Sequence, residues 1–100
     1  MAGFVQIMEV ETSKIREVDA LGRELAGVMG DKFKPRRATT TEDRDRPGHG
    51  YIIVEFDSYE EAMENSESAE TSEYSERMGK LLDAPPVFRN LDVVSVWEPS

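Results

Sequence analysis

A strand pattern gives way to a helix start within residues 50–63, GYIIVEFDSYEEAM. Residues 51–56 are rich in β-branched and aromatic side chains, which favour an extended backbone. Ser58 and Glu61 follow with the spacing of a capping box, in which the serine oxygen accepts from the amide of residue 61 and the glutamate reaches back. The sequence therefore predicts that a strand ends and a helix begins at a definite residue, Ser58.

Strand-like and helix-like sequence patterns also assign the rest of the chain. Strands are predicted over residues 4–10, over the polar and Arg-rich residues 34–46, and over residues 87–97. Apolar side chains at helical spacing predict a helix over residues 14–29, with polar side chains such as Asp19 and Arg23 on its solvent-exposed side. A second helical segment starts at Ser58, breaks near residues 65–68, and continues with Tyr74, Met78, Leu81 and Leu82 on its apolar side.

The predicted element order is β-α-β-β-α-β. This order is typical of a ferredoxin-like α+β fold, in which helices cover one face of a four-stranded antiparallel sheet. At 100 residues the chain has room for one domain, which we expect to span residues 1–100.

Two of the predicted strands are apolar on both faces. Ile52, Ile53 and Val54 are consecutive, as are Val93 and Val94. The helices can cover only one face of the sheet, so the other face would lie open to water in a monomer. We therefore expect a homodimer, with the sheets of two copies packed face to face around a two-fold axis.

Composition limits the classes of partner and site. The chain has 12 basic and 21 acidic residues and a net charge of −9, which disfavours binding to nucleic acid or to anionic membranes. The absence of cysteine excludes thiolate nucleophiles and cysteine metal sites, and a single histidine excludes a multi-histidine site within one chain. No apolar run has the roughly 20 residues of a membrane span and no signal-like start is present, so we expect a cytoplasmic location.

The charges are unevenly distributed along the chain. Six of the 12 basic residues lie between positions 32 and 46, a stretch we call the basic segment, whereas residues 57–76 hold eight acids and no base. Two interpretations stay open. The basic segment either guides an anionic substrate or an acidic partner, or it protects an edge strand from pairing with other chains.

Two segments, VEFDSYEEAMENSE and PPVFRNLDVVSVWE, together with the predicted element order, resemble the dimeric α/β-barrel superfamily. The chain is similar in particular to small actinobacterial members related to the antibiotic-biosynthesis monooxygenase (ABM-like) group, over residues 4–98. This resemblance implies a homodimer whose two sheets form a barrel, with a cavity inside the barrel or between sheet and helices. The haem-degrading branch of the superfamily fits poorly, because residues 57–83 lack the histidine expected on the second helix.

The resemblance also implies an activity. Members of the superfamily include cofactor-independent oxygenases that act on aromatic polyketides or quinols. It therefore implies a small, largely apolar or aromatic ligand and, if the protein is an enzyme, a monooxygenase reaction on an aromatic or polyketide-like substrate without metal or cofactor. The alternative is a non-enzymatic dimer that carries a ligand or docks a partner protein.

A second, partial resemblance concerns RNA. Gly50, Tyr51, Val54 and Phe56 match part of the strand signature of the RNA-recognition motif. The second stacking aromatic of that signature is replaced by Ile53. Because single-stranded RNA is bound by flat rings with positive charge nearby, the sequence disfavours this function.

The candidate catalytic residues are His49 and Tyr51. His49 is the only side chain that titrates near neutral pH unaided, and it lies at the start of a predicted strand, where a general base could act. In a cofactor-free oxidation, His49 or Tyr51 would assist deprotonation, while Gln6 or Thr41 would hold a carbonyl group. A loop histidine and an interface tyrosine without catalytic roles are the alternative interpretation.

The predicted ligand pocket follows from strand alternation. If the purely apolar side chains of each strand meet the helices, then Gln6, Met8, Tyr51, Ile53 and Glu55 point toward the opposite, dimer-side face. A pocket lined by apolar groups with a few polar ones suits a small aromatic ligand. The predicted pocket residues, with two hydroxyls from the edge strand, are Gln6, Met8, Thr39, Thr41, Ile53 and Glu55. An ordinary dimer core is the alternative.

Overall fold

The structure is a computed structural model that describes residues 3–99. Its four strands are β1 (Phe4–Glu11), β2 (Arg37–Glu42), β3 (His49–Phe56) and β4 (Val87–Asp92). Its helices are α1 (Ile15–Met29), α2 (Tyr59–Glu67) and α3 (Ala69–Gly79), and a short 3-10 helix, Gly30–Lys32, follows α1.

The four strands form one antiparallel sheet in the order β2-β3-β1-β4. The two long strands β1 and β3 lie at the centre, and the two short strands lie at the edges. This is the ferredoxin-like α+β arrangement, so the predicted fold class is confirmed.

The core lies between the sheet and the helices. In α1, the buried side chains Ile15, Val18 and Leu21 recur every three residues, which places them on one side of the helix. They form one cluster with residues of β1, β3 and α3, namely Met8, Val10, Ile52 and Met78. Burying this apolar side against the sheet is what holds α1 in place.

The predicted helix start is confirmed in part. Ser58 is the N-cap of α2, and its hydroxyl accepts a hydrogen bond from the amide of Glu61 at 3.2 Å. The return bond of a capping box is not formed within residues 3–99, since Oε2 of Glu61 is buried without a hydrogen-bond partner. The predicted break also occurs: Ser68 is extended and caps α3 through the amide of Thr71 at 3.1 Å.

The polar strand predicted over residues 34–46 is too long. β2 spans only Arg37–Glu42. Pro35 has no amide hydrogen, and residues 43–48 fold into a turn in which the amide of Asp45 donates to Oδ1 of Asp43 at 3.0 Å.

The last predicted strand, residues 87–97, is also too long. β4 ends at Asp92, which lies opposite Phe4, the first residue of β1, and the last ladder bond runs from the amide of Val93 to the carbonyl of Gly3 at 2.9 Å. Beyond that point β4 has no strand to pair with. Val94, Val96 and Trp97 are therefore 96%, 77% and 80% exposed, and the prediction that they belong to a doubly apolar strand is wrong.

The sheet face that points away from the helices, here called the open face, is apolar at its centre. Residues directly opposite each other in an antiparallel pair share a face, so Ile7 and Ile53 lie together on it, as do Val5 and Glu55. The open face comprises Val5, Ile7, Glu9, Glu11, Arg37, Thr39, Thr41, His49, Tyr51, Ile53, Glu55, Val87, Arg89 and Leu91. No described helix or strand covers these side chains.

Among residues 3–99, no helix has the length and apolar character that crossing a membrane requires.

Candidate functional site

A cavity of about 350 Å³ lies between the sheet and the helices. The sheet forms its floor, with Met8 and Ile52 at the centre, and α1 contributes Val18 and Leu25. Most of the lining is apolar, and the volume lies within the range of about 300–1,000 Å³ that is usual for sites that bind small molecules. Polar residues also line it, among them Asp19, Thr40 and Tyr74.

Asp19 on α1 is the charged group that is fixed most firmly at the cavity. Its Oδ1 accepts a hydrogen bond from the hydroxyl of Thr40 at 2.9 Å, and its Oδ2 accepts one from Nε of Arg23 at 3.0 Å. The bond from Arg23, then the bond from Thr40, lowers the pKa of Asp19 below its usual value. The carboxylate is therefore ionised at neutral pH, and it ties α1 to the edge strand β2.

Tyr74 on α3 also lines the cavity. Burial, and then the negative charge of Asp19, raises the pKa of Tyr74 to about 12. At neutral pH the phenol keeps its proton, so Tyr74 can donate a hydrogen bond to a ligand but cannot act as a general base.

Gly22 lies next to the Tyr74 hydroxyl, and both residues line the cavity. A Cβ atom built at Gly22 would lie 3.9 Å from the hydroxyl oxygen of Tyr74, which is an ordinary contact distance. A larger side chain at position 22 would therefore take up room beside that hydroxyl.

The structure divides the predicted pocket residues between different surfaces. Gln6 and Met8 line the cavity on the helix side of the sheet, because they lie opposite Val54 and Ile52 in the β1–β3 register. The prediction that they point to the dimer-side face is wrong. Alternation gives two sets of side chains for each strand, but only the register shows which sets share a face.

The remaining predicted residues lie elsewhere. Ile53 and Glu55 are on the open face, as predicted, and Oε2 of Glu55 accepts a hydrogen bond from Nε of Arg37 at 2.6 Å. Thr39 and Thr41 lie on the open-face side of β2, beside a polar groove of about 400 Å³ between this strand and α1. The six predicted pocket residues therefore do not form a single site.

His49 and Tyr51 lie outside the cavity, on the open face. Nε2 of His49 is 3.8 Å from Oε1 of Glu11, the residue opposite it in the sheet. Tyr51 is half-buried, and its carbonyl oxygen accepts from the hydroxyl of Thr41 at 2.8 Å. Their catalytic roles stay a prediction, which the cavity does not support because neither side chain lines it.

Several basic side chains of the basic segment are already paired with acids. Lys34 pairs with Glu64 at 3.6 Å, Arg36 with Asp57 at 3.1 Å, and Arg37 with Glu55 at 2.6 Å. These pairs favour the edge-protection interpretation over an anion guide, because half of the six cations are already matched by carboxylates within the chain.

The open face offers little for base stacking or for metals. Among its described residues Tyr51 is the only aromatic one, whereas RNA-binding sheets stack bases on several rings. Across residues 3–99, no three acidic or histidine side chains lie close enough together to hold a metal ion.

Sequence reasoning missed most of the polar residues that line the cavity, although it included Gln6. The helical spacing places Asp19 and Arg23 on the solvent-exposed side of a helix and Tyr74 on an apolar stripe. The spacing of Asp19 and Arg23 by four residues does signal an ion pair on one helix. Nothing in the local sequence indicates that the charge of Asp19 affects the pKa of Tyr74, which lies 55 positions later in the chain.

Comparison with known proteins shows the fold. A "putative antibiotic biosynthesis monooxygenase" from Bordetella bronchiseptica superposes with a TM-score of 0.75 at 14% identity, covering 95% of this chain and 100% of that one. A protein with the same printed name from Caulobacter crescentus gives 0.72 at 18% identity, covering 94% and 90%. A conserved protein from Methanosarcina mazei gives 0.76 at 12% identity, covering 91% and 92%.

The chain matches no protein-family model and no curated protein sequence. The structural matches span nearly the whole of both chains, and at these identities they show the fold. The resemblance to the ABM-like group is therefore confirmed at the level of fold.

The Asp19 carboxylate should make stability depend on pH in the acid range. Its pKa is lowered in the folded protein, so its contribution is fully present above the unfolded value, near 3.8, and is lost as pH falls through the folded value. We expect Asp19→Asn to be less stable than the wild type at about pH 6, and the difference to shrink as the pH is lowered below 3.8 and through the folded value. Urea unfolding midpoints measured over this pH range test the prediction. A difference that stays constant with pH would show that the charge is not responsible.

Proposed function

We propose that this protein binds a small, largely apolar, aromatic molecule in the cavity between sheet and helices, and that it does so as a homodimer. The observation that carries the ligand proposal is the make-up of the cavity. Its lining is mostly apolar, and Tyr74, whose hydroxyl keeps its proton at neutral pH, is one of the polar residues that line it. An apolar wall with a few placed polar groups fits an aromatic ring system with a polar substituent.

The reaction we propose is a monooxygenation that needs no cofactor, on an aromatic or polyketide-like substrate. It is supported by the printed names of proteins with this fold. In such a reaction a methylene group of the substrate becomes a carbonyl: one atom of O₂ enters the product, the other leaves as water with both methylene hydrogens, and the substrate supplies the electrons. The protein would contribute orientation of the substrate and exclusion of water.

The homodimer proposal rests on the open face. At its centre, four half-buried side chains, Val5, Ile7, Tyr51 and Ile53, share a surface with the edge residues Val87 and Leu91, which are 47% and 44% exposed. An apolar sheet face of this kind is usually covered by another layer. A second copy provides that layer by two-fold symmetry. Light scattering at micromolar concentration should then give about twice the chain mass of 11.3 kDa.

Two glycines of α1 provide a matched test of the cavity. Gly22 lies next to the Tyr74 hydroxyl, whereas a Cβ at Gly27 meets no atom within 4 Å. We expect Gly22→Met to weaken binding of anthrone, a tricyclic aromatic ketone with an oxidisable methylene, by about tenfold or more, and Gly27→Met to bind it like the wild type. Calorimetry under nitrogen measures binding. Equal affinity of the two variants would place the ligand outside the cavity.

Oxygen uptake with anthrone then separates the two functions that the sequence left open. Uptake by the wild type that is lost in Gly22→Met supports the monooxygenase. Binding without uptake supports a ligand carrier.

A further inference from the structure

The chain between the 3-10 helix and β2, residues 33–36, forms a thin wall of the cavity, which we call the strap. Phe33 has an extended backbone, in which successive side chains point to opposite sides. Phe33 and Pro35 line the cavity, whereas Lys34 and Arg36 do not. The strap therefore has apolar side chains toward the cavity and two cations on its outer side.

Two ion pairs attach the outer side of the strap to α2 and to the residue that precedes its cap. Nζ of Lys34 lies 3.6 Å from Oε2 of Glu64 on α2, and Nε of Arg36 lies 3.1 Å from Oδ1 of Asp57. The four side chains are between 36% and 65% exposed, so each pair stabilises the closed position only weakly and salt screens it. Cations of the basic segment thus meet the acid-rich residues 57–76, which gives the uneven charge distribution a role within the chain.

The strap has little buried surface of its own. Its two ends are held by backbone hydrogen bonds, from the amide of Phe33 to the carbonyl of Gly30 at 3.0 Å and from the amide of Arg36 to the carbonyl of Glu55 at 2.7 Å. None of its four residues is buried, whereas each of the three α-helices has at least one buried side chain in the core. Opening the strap therefore costs less than moving a helix, because few apolar contacts are lost.

We propose that the strap opens outward to admit and release the ligand of the cavity, and that the ion pairs Lys34–Glu64 and Arg36–Asp57 set how often it opens. This inference rests on the proposed binding of a small molecule in the cavity and adds the route by which that molecule exchanges. The two ion pairs then control the association and dissociation rates together. The affinity hardly changes, because the closed state stays the main one when a pair is lost.

Hydrogen exchange tests the opening without any ligand, with the amides of Phe33 and Arg36 as reporters at the two ends of the strap. Lys34→Met removes one charge and should lower their protection factors about two- to fivefold, the usual effect of one exposed ion pair. Raising the salt concentration from about 0.01 M to about 1 M should do the same in the wild type and less in Lys34→Met. The matched control is Lys32→Met, since Lys32 is exposed, does not line the cavity and, within residues 3–99, forms no ion pair.

The rate of ligand exchange tests the route. Bound 1-aminoanthracene, a neutral tricyclic fluorophore, is displaced by excess anthrone under nitrogen and followed by stopped-flow fluorescence. Dissociation from Lys34→Met should be about two- to fivefold faster than from the wild type or Lys32→Met, with dissociation constants that agree within about twofold. Lys34→Glu should be faster still, and adding Glu64→Lys, which restores a pair of opposite charges, should return the rate toward the wild-type value.

The outcomes separate this inference from the proposed function. If the strap amides have equal protection in all variants, the ion pairs do not hold the strap, and the inference is overturned whether or not a ligand binds. If the probe binds and its dissociation rate is the same in all variants, the proposed binding stands but the ligand uses another route, and the inference is wrong. If 1-aminoanthracene does not bind the wild type, the proposed function fails and the inference about ligand exchange fails with it.

Discussion

Gly50→Ala is expected to lower the free energy of unfolding by about 3 kcal/mol, at the upper end of what overpacking a core usually costs. Gly50 is a buried residue of the central strand β3, paired with Val10 on one side and Glu42 on the other. A Cβ atom at this position would lie 2.5 Å from the carbonyl oxygen of Thr41 and 3.1 Å from Cδ1 of Ile15. The first of these atoms belongs to the backbone, so only a shift of strand β2 could relieve the contact.

Gly27→Ala is the matched control for this substitution. Gly27 is exposed in the interior of α1, and a Cβ there meets nothing within 4 Å. Alanine should stabilise the helix at this position by about 0.5–1 kcal/mol. Urea unfolding followed by circular dichroism measures both variants. Equal stability of Gly50→Ala and the wild type would mean that β2 does not lie as close to β3 as the structure shows.

Ile53→Lys is expected to convert the proposed dimer into a monomer. Ile53 lies at the centre of the open face, opposite Ile7 on one neighbouring strand and Thr39 on the other. A two-fold interface places the substitution in both copies, so two ammonium groups would have to lose their water in an apolar surface. The penalty of several kcal/mol should weaken association by more than about 100-fold.

The control for this prediction is Val28→Lys, which makes the same change of charge on the exposed surface of α1, where Val28 is 68% exposed. Light scattering over a range of concentrations should show a monomer of about 11.3 kDa for Ile53→Lys and a wild-type mass for Val28→Lys. A dimer that survives Ile53→Lys with its affinity intact would show that the copies meet through another surface. A wild type that is itself monomeric would remove the dimer proposal.

The fold could be predicted because its signals are local. The run of β-branched and aromatic residues at 51–56, the cap at Ser58 and the helical spacing of Ile15, Val18 and Leu21 each depend on a few neighbouring residues. The strand ends at the sheet edges could not be predicted in the same way. Residues 93–97 are as apolar as a strand, but whether they pair depends on where β1 begins, about 90 positions earlier in the chain.

The site could be predicted less well, for the same physical reason. Both side-chain sets of β1 contain apolar residues, so composition does not decide whether Met8 or Ile7 meets the helices. The register decides it by placing Met8 opposite Ile52. The cavity likewise combines Asp19 of α1 with Tyr74 of α3, and a contact between distant elements leaves no pattern in either segment.

The exposed segment after β4 has a consequence for spectroscopy. Trp97 is the single tryptophan of the chain, is 80% exposed, and does not belong to the buried cluster around Val18 and Met78. Its fluorescence in the isolated chain therefore reports the surroundings of the segment after β4. Unfolding of the core would leave the wavelength of the emission maximum almost unchanged. A native emission maximum at short wavelength would accordingly be a signal from another molecule lying against Trp97.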